Sequence, residues 1–298
     1  MVEELLLGDN PFIGVSHFSQ DKAREELQEA RLGNKISVFE AAVDGGATGF
    51  TFSTHESNLE LLTYLSVNRK DLLRAMNYYI LVPYAQSYVR KANLGGTPML
   101  LRSTLRGMVR DWSDISDMMH AVALLKMNRL AGLFLKSEIA PFLDVLPKEN
   151  VKAILLHEIL TDAAMAFGLF DLIESIGRYV KERIGLKFGL HTKNLGCLYE
   201  RKLLTCDSFE YLMTPINPLG YGMAPCKETA EEAVKNLGGK INIIAINVLA
   251  SGAVDLETTI AYMRRFKEDI WAVTSASTKP HRIRENFEKF RLSLGAAL

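Results

Sequence analysis

The chain has 298 residues, 48% of them hydrophobic and 23% charged, enough for a substantial core. Its 35 Lys+Arg balance 35 Asp+Glu, which excludes the basic footprint of a nucleic-acid or anionic-membrane binder and points to small-molecule or protein partners. Cys197, Cys206 and Cys226 form no Cys-x-x-Cys pair, so a disulfide scaffold is excluded and a reduced, cytoplasmic setting is expected.

The N-terminal "MVEELLLGDNPF" is acidic where a secretory signal is basic, and its apolar run is only three leucines. No stretch approaches the roughly 20 apolar residues of a membrane-spanning helix. From there on, short apolar runs bounded by Gly, Pro, Asn or Ser read as buried strands. In chain order these are "FIGVSHF" (12–18), "GFTFSTH" (49–55), "YYILVPY" (78–84), "AGLFLKS" (131–137) and "AILLHE" (153–158). "FGLHTK" (188–193), "YLMTPIN" (211–217), "INIIAINVLASG" (241–252) and "IWAVTSAS" (270–277) follow.

Amphipathic stretches lie between the runs. Leu169, Ile173, Ile176, Val180 and Ile184 make one helical stripe, and Ile283, Phe287, Phe290 and Leu294 another, with Ser277 and Thr278 as cap candidates before Pro280. Strands apolar on both faces and alternating with helices indicate a covered parallel sheet, either a doubly wound open sheet or, as favoured here, a closed (β/α)₈ TIM barrel. A barrel spanning 1–298 as one domain takes eight strands, so one of the nine candidates is surplus. "YYILVPY" and "AGLFLKS" are the suspects, because an elaborated loop is expected between them, over about 85–130.

In a parallel barrel the chemistry collects at the carboxyl ends of the strands. Four of six histidines, His17, His55, His157 and His191, fall at predicted strand ends, together with Lys136 and Glu158. Converging neutral imidazoles suit a divalent metal such as Zn²⁺, bound at about 2.0–2.1 Å with an open position for a water of pKa about 7. Strand alternation opposes His157 and Glu158 both facing the axis unless the strand has already ended. The same groups also allow metal-free acid/base work, with Lys136 as a Schiff-base or low-pKa lysine. The structural alternatives are imidazoles bonding loop carbonyls and an ion pair of Lys136 with Glu138 or Glu158. Near the C-terminus, "TSASTKPHRIRENF" sets Lys279, Arg282 and Arg284 around a helix start, which suits a phosphate or nucleotide.

At these residues the chain resembles the aldo/keto reductases, (β/α)₈ barrels that use NADPH without metal. "SASTKPHRIRENF" is similar to that family's closing Gly-Thr-Ser-x-Pro-x-x-x-x-x-Asn segment, which grips the adenosine phosphate. "INIIAINVLASGAV" is similar to its Pro-Leu-x-x-Gly loop, "GGATGFTFSTHESN" to its Gly-x-x-Phe-Asp-Thr-Ala strand, and "LLHEILTD" to the strand ending in its catalytic histidine. The resemblance runs from Leu7 to Asn286 and implies cofactor contacts by Ser277, Lys279, Arg282 and Asn286, with His157 and Lys136 at the family's histidine and lysine. It departs from the family at Ser53, which stands at the catalytic Asp, and near Asn58, where no Tyr stands. His191 and Thr192 replace the Ser-Asn pair that holds the nicotinamide amide.

A second resemblance is to metal-dependent amidohydrolase barrels, in which a lysine ends the fourth strand and histidines end the fifth and sixth. "GLFLK", "ILLH" and "FGLH" follow that order. With reductase groups replaced by histidines, the leading expectation is metal-assisted hydrolysis, or related lyase chemistry, of a small polar or phosphorylated substrate. Lys136, His157, Glu158 and His191 would be catalytic, with metal held by His17, His55, His157 and His191. The alternatives are a divergent NADP-linked oxidoreductase and a non-catalytic barrel.

Overall fold

Eight parallel strands close into a barrel in chain order: β1 Glu4–Gly8, β2 Gly49–Ser53, β3 Asn77–Val82, β4 Val151–Leu156, β5 Lys187–His191, β6 Tyr211–Pro215, β7 Asn242–Ile246 and β8 Ala272–Ser275. The computed structural model describes residues 1–13, 31–83, 127–200 and 209–295. The helices are α1 Leu32–Gly45, α2 Glu56–Asn68, α3 Lys70–Arg74, α4 Met127–Leu143, α5 Glu158–Phe167, α6 Phe170–Tyr179, α7 Leu195–Glu200, α8 Lys227–Leu237, α9 Leu256–Met263 and α10 Pro280–Leu294. Among the described residues no helix is long and apolar enough to cross a membrane.

Alternation along each strand sorts two cores. Leu6, Tyr79, Leu155, Met213, Ile244 and Ala272 fill the barrel interior, while Leu5, Phe50, Phe52, Ile80, Ile154 and Phe188 meet the helices outside. In "GFTFS" both Phe rings point outward, 5.0 Å apart, and pack on Phe39 of α1 and Phe142 of α4. Thr51 and Ser53 take the other parity. At the amino end of the barrel, Tyr79, Tyr211 and Trp271 stack edge to face at 5.2–5.8 Å. Beside them Glu4 Oε1 accepts from Asn77 Nδ2 at 2.7 Å. This plug closes one end and leaves the carboxyl mouth for chemistry.

The closure of the ring depends on a strand that sequence reading misses. "ELLLG" is only five residues long, with an acidic flank, and yet its three leucines are fully buried. "FIGVSHF" is not that strand: Phe12 ends a 3₁₀ turn, Asn10–Phe12, and His17 lies outside the described residues. "YYILVPY" belongs in the barrel as β3. "AGLFLKS" does not, because it lies inside the 17-residue α4, where Leu135, Ile139 and Phe142 recur at helical spacing and are buried. A buried helix and a buried strand look alike over seven apolar residues. Lys136 is therefore a mid-helix residue and not a strand end, and the lysine-first order behind the amidohydrolase resemblance disappears. The expected loop over about 85–130 lies outside the described residues up to 126, and α4 begins at Met127.

Helices α1 and α10 cross closely at Gly45. A Cβ there would stand 2.8 Å from the Arg284 carbonyl oxygen and 3.0 Å from its Cα, closer than packed atoms tolerate. That contact is at the carboxyl end of α1; at its amino end, beside the mouth, Asn34 Nδ2 donates to the Thr278 carbonyl at 2.9 Å.

Candidate functional site

Register places the two histidines side by side. Leu156 of β4 pairs with Leu190 of β5, so one residue further His157 stands next to His191. Their rings meet edge to face, 5.6 Å between centroids and 73° between planes. His157 is already off the strand: it caps α5, and its Nδ1 accepts from the Ile159 N–H at 3.3 Å. Because β4 has ended, alternation no longer separates His157 from Glu158. Glu158 opens α5 and turns its carboxylate toward β5, with Oε2 3.1 Å from His191 Nε2 and Oε1 accepting from Lys193 Nζ at 2.5 Å. Asp162, one turn on, accepts from the Thr192 hydroxyl and, at 3.3 Å, from the Lys193 N–H, which ties α5 to the end of β5.

His191 is buried, and both of its ring nitrogens lack a hydrogen bond; Nε2 is near the Glu158 carboxylate but out of line with it. Burial pulls its pKa down to about 3, against the opposing pull of Glu158, so the imidazole is neutral. Burial likewise lowers the pKa of His157. For Glu158, burial alone raises the pKa, but the Lys193 ammonium, hydrogen-bonded to it, holds the carboxyl below its ordinary value. Burial raises the pKa of Asp162 above the ordinary value, although the groups donating to it resist.

Across the mouth, at the ends of β1 and β2, stands a group that sequence reading missed. Asp9 Oδ2 accepts from the Ser53 N–H at 2.8 Å, the Ser53 hydroxyl at 2.7 Å and Asn58 Nδ2 at 2.7 Å. Ser53 is where the resemblance expects an aspartate, and Asp9 brings a carboxylate to that spot from the neighbouring strand. Burial raises its pKa. The signal lay in "ELLLGD": once ELLLG is a strand, Asp9 is a strand-end residue like the others.

The expected metal set does not assemble. His55 caps α2, with its Nδ1 accepting from the Ser57 N–H at 3.0 Å, and the Nδ1 of His157 is occupied in the same way. His55 follows the end of β2, two strands away from β4, and His17 lies outside the described residues. Among the described residues no three His, Cys, Asp or Glu side chains are grouped to hold a metal ion. Lys136 is half-buried in α4, two residues before Glu138, which accepts from the Thr54 hydroxyl at 2.9 Å.

The second feature of the mouth is an open cleft of about 640 Å³ between the amino ends of α1 and α10, lined by Arg31, Gly33, Asn34, Thr278, Lys279, Pro280 and His281. Among the described residues it is lined by cations and by no carboxylate. No side chain caps α10, and Pro280 occupies its first turn. Of the expected cofactor residues, Lys279 lines the cleft and Ser277 shapes it, its Oγ accepting from the Lys279 N–H at 3.1 Å. Arg282 is exposed on α10. Asn286 is buried and donates to Ser275 Oγ at 3.1 Å, bracing α10 against β8. Arg31, Asn34 and His281 were not expected, because only the fold brings the start of α1 to α10.

No protein-family model matches the chain, and no curated protein sequence does. Solved structures do. An aldo-keto reductase from Bacillus halodurans in its holo form superimposes with a TM-score of 0.52 at 11% identity, over 96% of this chain and 86% of that one. An aldo-keto reductase from Bombyx mori in complex with NADP superimposes with a TM-score of 0.53 at 12% identity, over 96% and 83% of the two chains. Together with the scattered histidines, this likeness overturns metal-assisted hydrolysis and the lyase chemistry related to it. The fold of this chain is the aldo/keto reductase-like (β/α)₈ barrel.

Proposed function

We propose that the barrel is an NADP-linked oxidoreductase acting on a small carbonyl or alcohol substrate at its carboxyl mouth. The observation that carries this reading is the cleft at the start of α10: Arg31 and Lys279 face it, no carboxylate among the described residues lines it, and α10 has no side-chain cap there. That chemistry fits a phosphate monoester on a nucleotide, since unpaired helix amides and cations both favour anionic oxygens. When bound, the dinucleotide supplies or accepts a hydride at the substrate carbon.

The residues of the chain would do the rest. Arg31, Asn34, Thr278 and Lys279 would hold the phosphate. His157, whose Nδ1 accepts from backbone, carries its proton on Nε2 and would donate that hydrogen bond to the substrate oxygen. Asp162 and Thr192 would keep β5 in place beside it. NADPH fluorescence titration tests the reading: binding in the micromolar range supports it, and no binding at millimolar NADPH removes it in favour of a non-catalytic barrel.

A further inference from the structure

We propose that Lys193 is the proton donor to the substrate oxygen, acting beside His157, which donates a second hydrogen bond to the same atom. This inference rests on the oxidoreductase reading and assigns a catalytic residue to the same site.

The need for such a residue follows from stoichiometry. When a hydride reaches a carbonyl carbon, the C=O π pair moves to the oxygen, and the alcohol forms only once that oxygen takes a proton. His157 cannot supply it. Burial lowers its pKa, the nearby Lys193 charge adds to that effect, and the imidazole is neutral. Loss of its remaining Nε2 proton would leave an imidazolate anion, so His157 can hold the oxygen but not protonate it. Asp162 is engaged elsewhere, one oxygen accepting from the Thr192 hydroxyl and the other from the Lys193 N–H.

Lys193 meets the requirement in three ways. It is positioned: Nζ donates to Glu158 Oε1 at 2.5 Å, its backbone N–H donates to Asp162, and its carbonyl accepts from the Ala224 N–H at 2.9 Å. Glu158 follows His157 directly in sequence, so the ammonium and the imidazole are anchored on the same side of the mouth. It is reachable, since its side chain is 37% exposed, whereas both ring nitrogens of His191 are buried. It also has protons to give: one ammonium N–H is committed to Glu158, and the other two have no partner among the described residues.

In the transfer the Nζ–H bond breaks with its electron pair staying on nitrogen, and an O–H bond forms on the substrate. The carbonyl compound is reduced to the alcohol by the hydride from the dinucleotide, and the amine regains a proton from solvent at the mouth. Alcohol oxidation reverses each transfer, with the neutral amine as base.

The test follows NADPH-dependent reduction of propanal, butanone and benzaldehyde. Lys193→Met is expected to lower kcat by about 10²–10⁴-fold, the usual contribution of a general acid, with NADPH affinity unchanged. Lys193→Arg keeps the charge and the hydrogen-bond donors but gives up no proton, so KM should stay near its wild-type value while kcat falls. Added methylammonium should restore part of the kcat of Lys193→Ala, which a merely structural lysine would not allow. The double variant Lys193→Met/Glu158→Gln removes the ion pair as a unit, and the same loss of kcat in it excludes an unpaired Glu158 as the cause. Independently of turnover, nitrogen NMR of the cofactor-free protein with acetamide, a carbonyl probe that is not reduced, should shift Lys193 Nζ and His157 Nε2 and leave the exposed His281 unmoved.

Full activity in Lys193→Met would overturn the proposal, and so would loss of kcat in Asp9→Asn alone, which would move the acid to the carboxyl across the mouth. Unmoved Lys193 and His157 signals at high acetamide concentration would overturn it too, as would protein that binds NADPH and reduces none of the three carbonyls. Absent NADPH binding in the wild type is a separate outcome, which removes the oxidoreductase reading and this proposal with it.

Discussion

Glu158 Oε2 lies 3.1 Å from His191 Nε2, although the two residues come from different strand-end loops and Glu158 is adjacent in sequence to another inward-facing histidine. The contact exists because β4 stops at Leu156, so that residue 158 begins a helix instead of continuing the alternation of the strand.

The neutral His191 makes stability depend on pH in a definite direction. Its folded pKa, about 3, lies below the ordinary value of 6.5, so between those values the unfolded chain binds more protons than the native one. The contribution is complete above 6.5 and is lost as pH falls through the window, by up to about 1.4 kcal/mol per pH unit. Urea midpoints measured across this window should fall with pH in the wild type and fall less steeply in His191→Asn. Parallel curves would show that His191 is protonated in the folded state.

Asp9 holds its three donors through a single oxygen. Asp9→Leu leaves the Ser53 N–H, the Ser53 hydroxyl and the Asn58 amide without that acceptor, at an expected cost of about 3 kcal/mol or more. Asp9→Asn keeps one oxygen and should cost about 1 kcal/mol. Chemical denaturation distinguishes the two; equal losses would mean that shape, and not hydrogen bonding, sets the requirement for Asp9.

At Gly45, propensity and packing make opposite predictions. Alanine in place of a helical glycine normally stabilises by up to about 0.5–1 kcal/mol, and by less at the last residue of a helix, where Gly45 stands. Here the new Cβ would meet the backbone of Arg284 at 2.8 Å, and forcing α10 away from α1 costs about 1–3 kcal/mol. Gly45→Ala should therefore lower the melting temperature, and a raised Tm would show that the helices separate freely.

If the cleft between α1 and α10 holds a phosphate, reversing a charge in it should matter more for NADPH than for NADH, which lacks the extra phosphate. Lys279→Glu and Arg31→Glu are each expected to weaken NADPH by about 10-fold or more, through repulsion added to a lost attraction. NADH affinity should change much less, and salt should weaken NADPH in the wild type. Equal changes for both cofactors would place the phosphate elsewhere.

Much of the barrel was legible along the chain, because parallel strands buried on both faces become short runs of Val, Ile, Leu and Phe, and the helices between them show a helical period. Among the described residues, seven of the nine predicted runs contain strands. The errors fall where local pattern is ambiguous. "AGLFLKS" is apolar because α4 is buried, not because it is extended, and "ELLLG" is too short and too acidic at its start to stand out.

The site divides in the same way. Sequence alone determined that His157 and His191 end neighbouring strands, since each closes an apolar run, and that a basic helix start follows the last strand. It could not determine which atoms those histidines face. Tertiary structure decided that His55 and His157 cap helices and do not assemble into a metal set, that Asp9 reaches Ser53 from the neighbouring strand, that Arg31 joins Lys279 across 248 positions of chain, and that Glu158 turns toward His191. The physical reason is common to all four: each depends on the length at which a strand stops and on the register that brings its end to another. Those are properties of the closed ring, carried by no one segment.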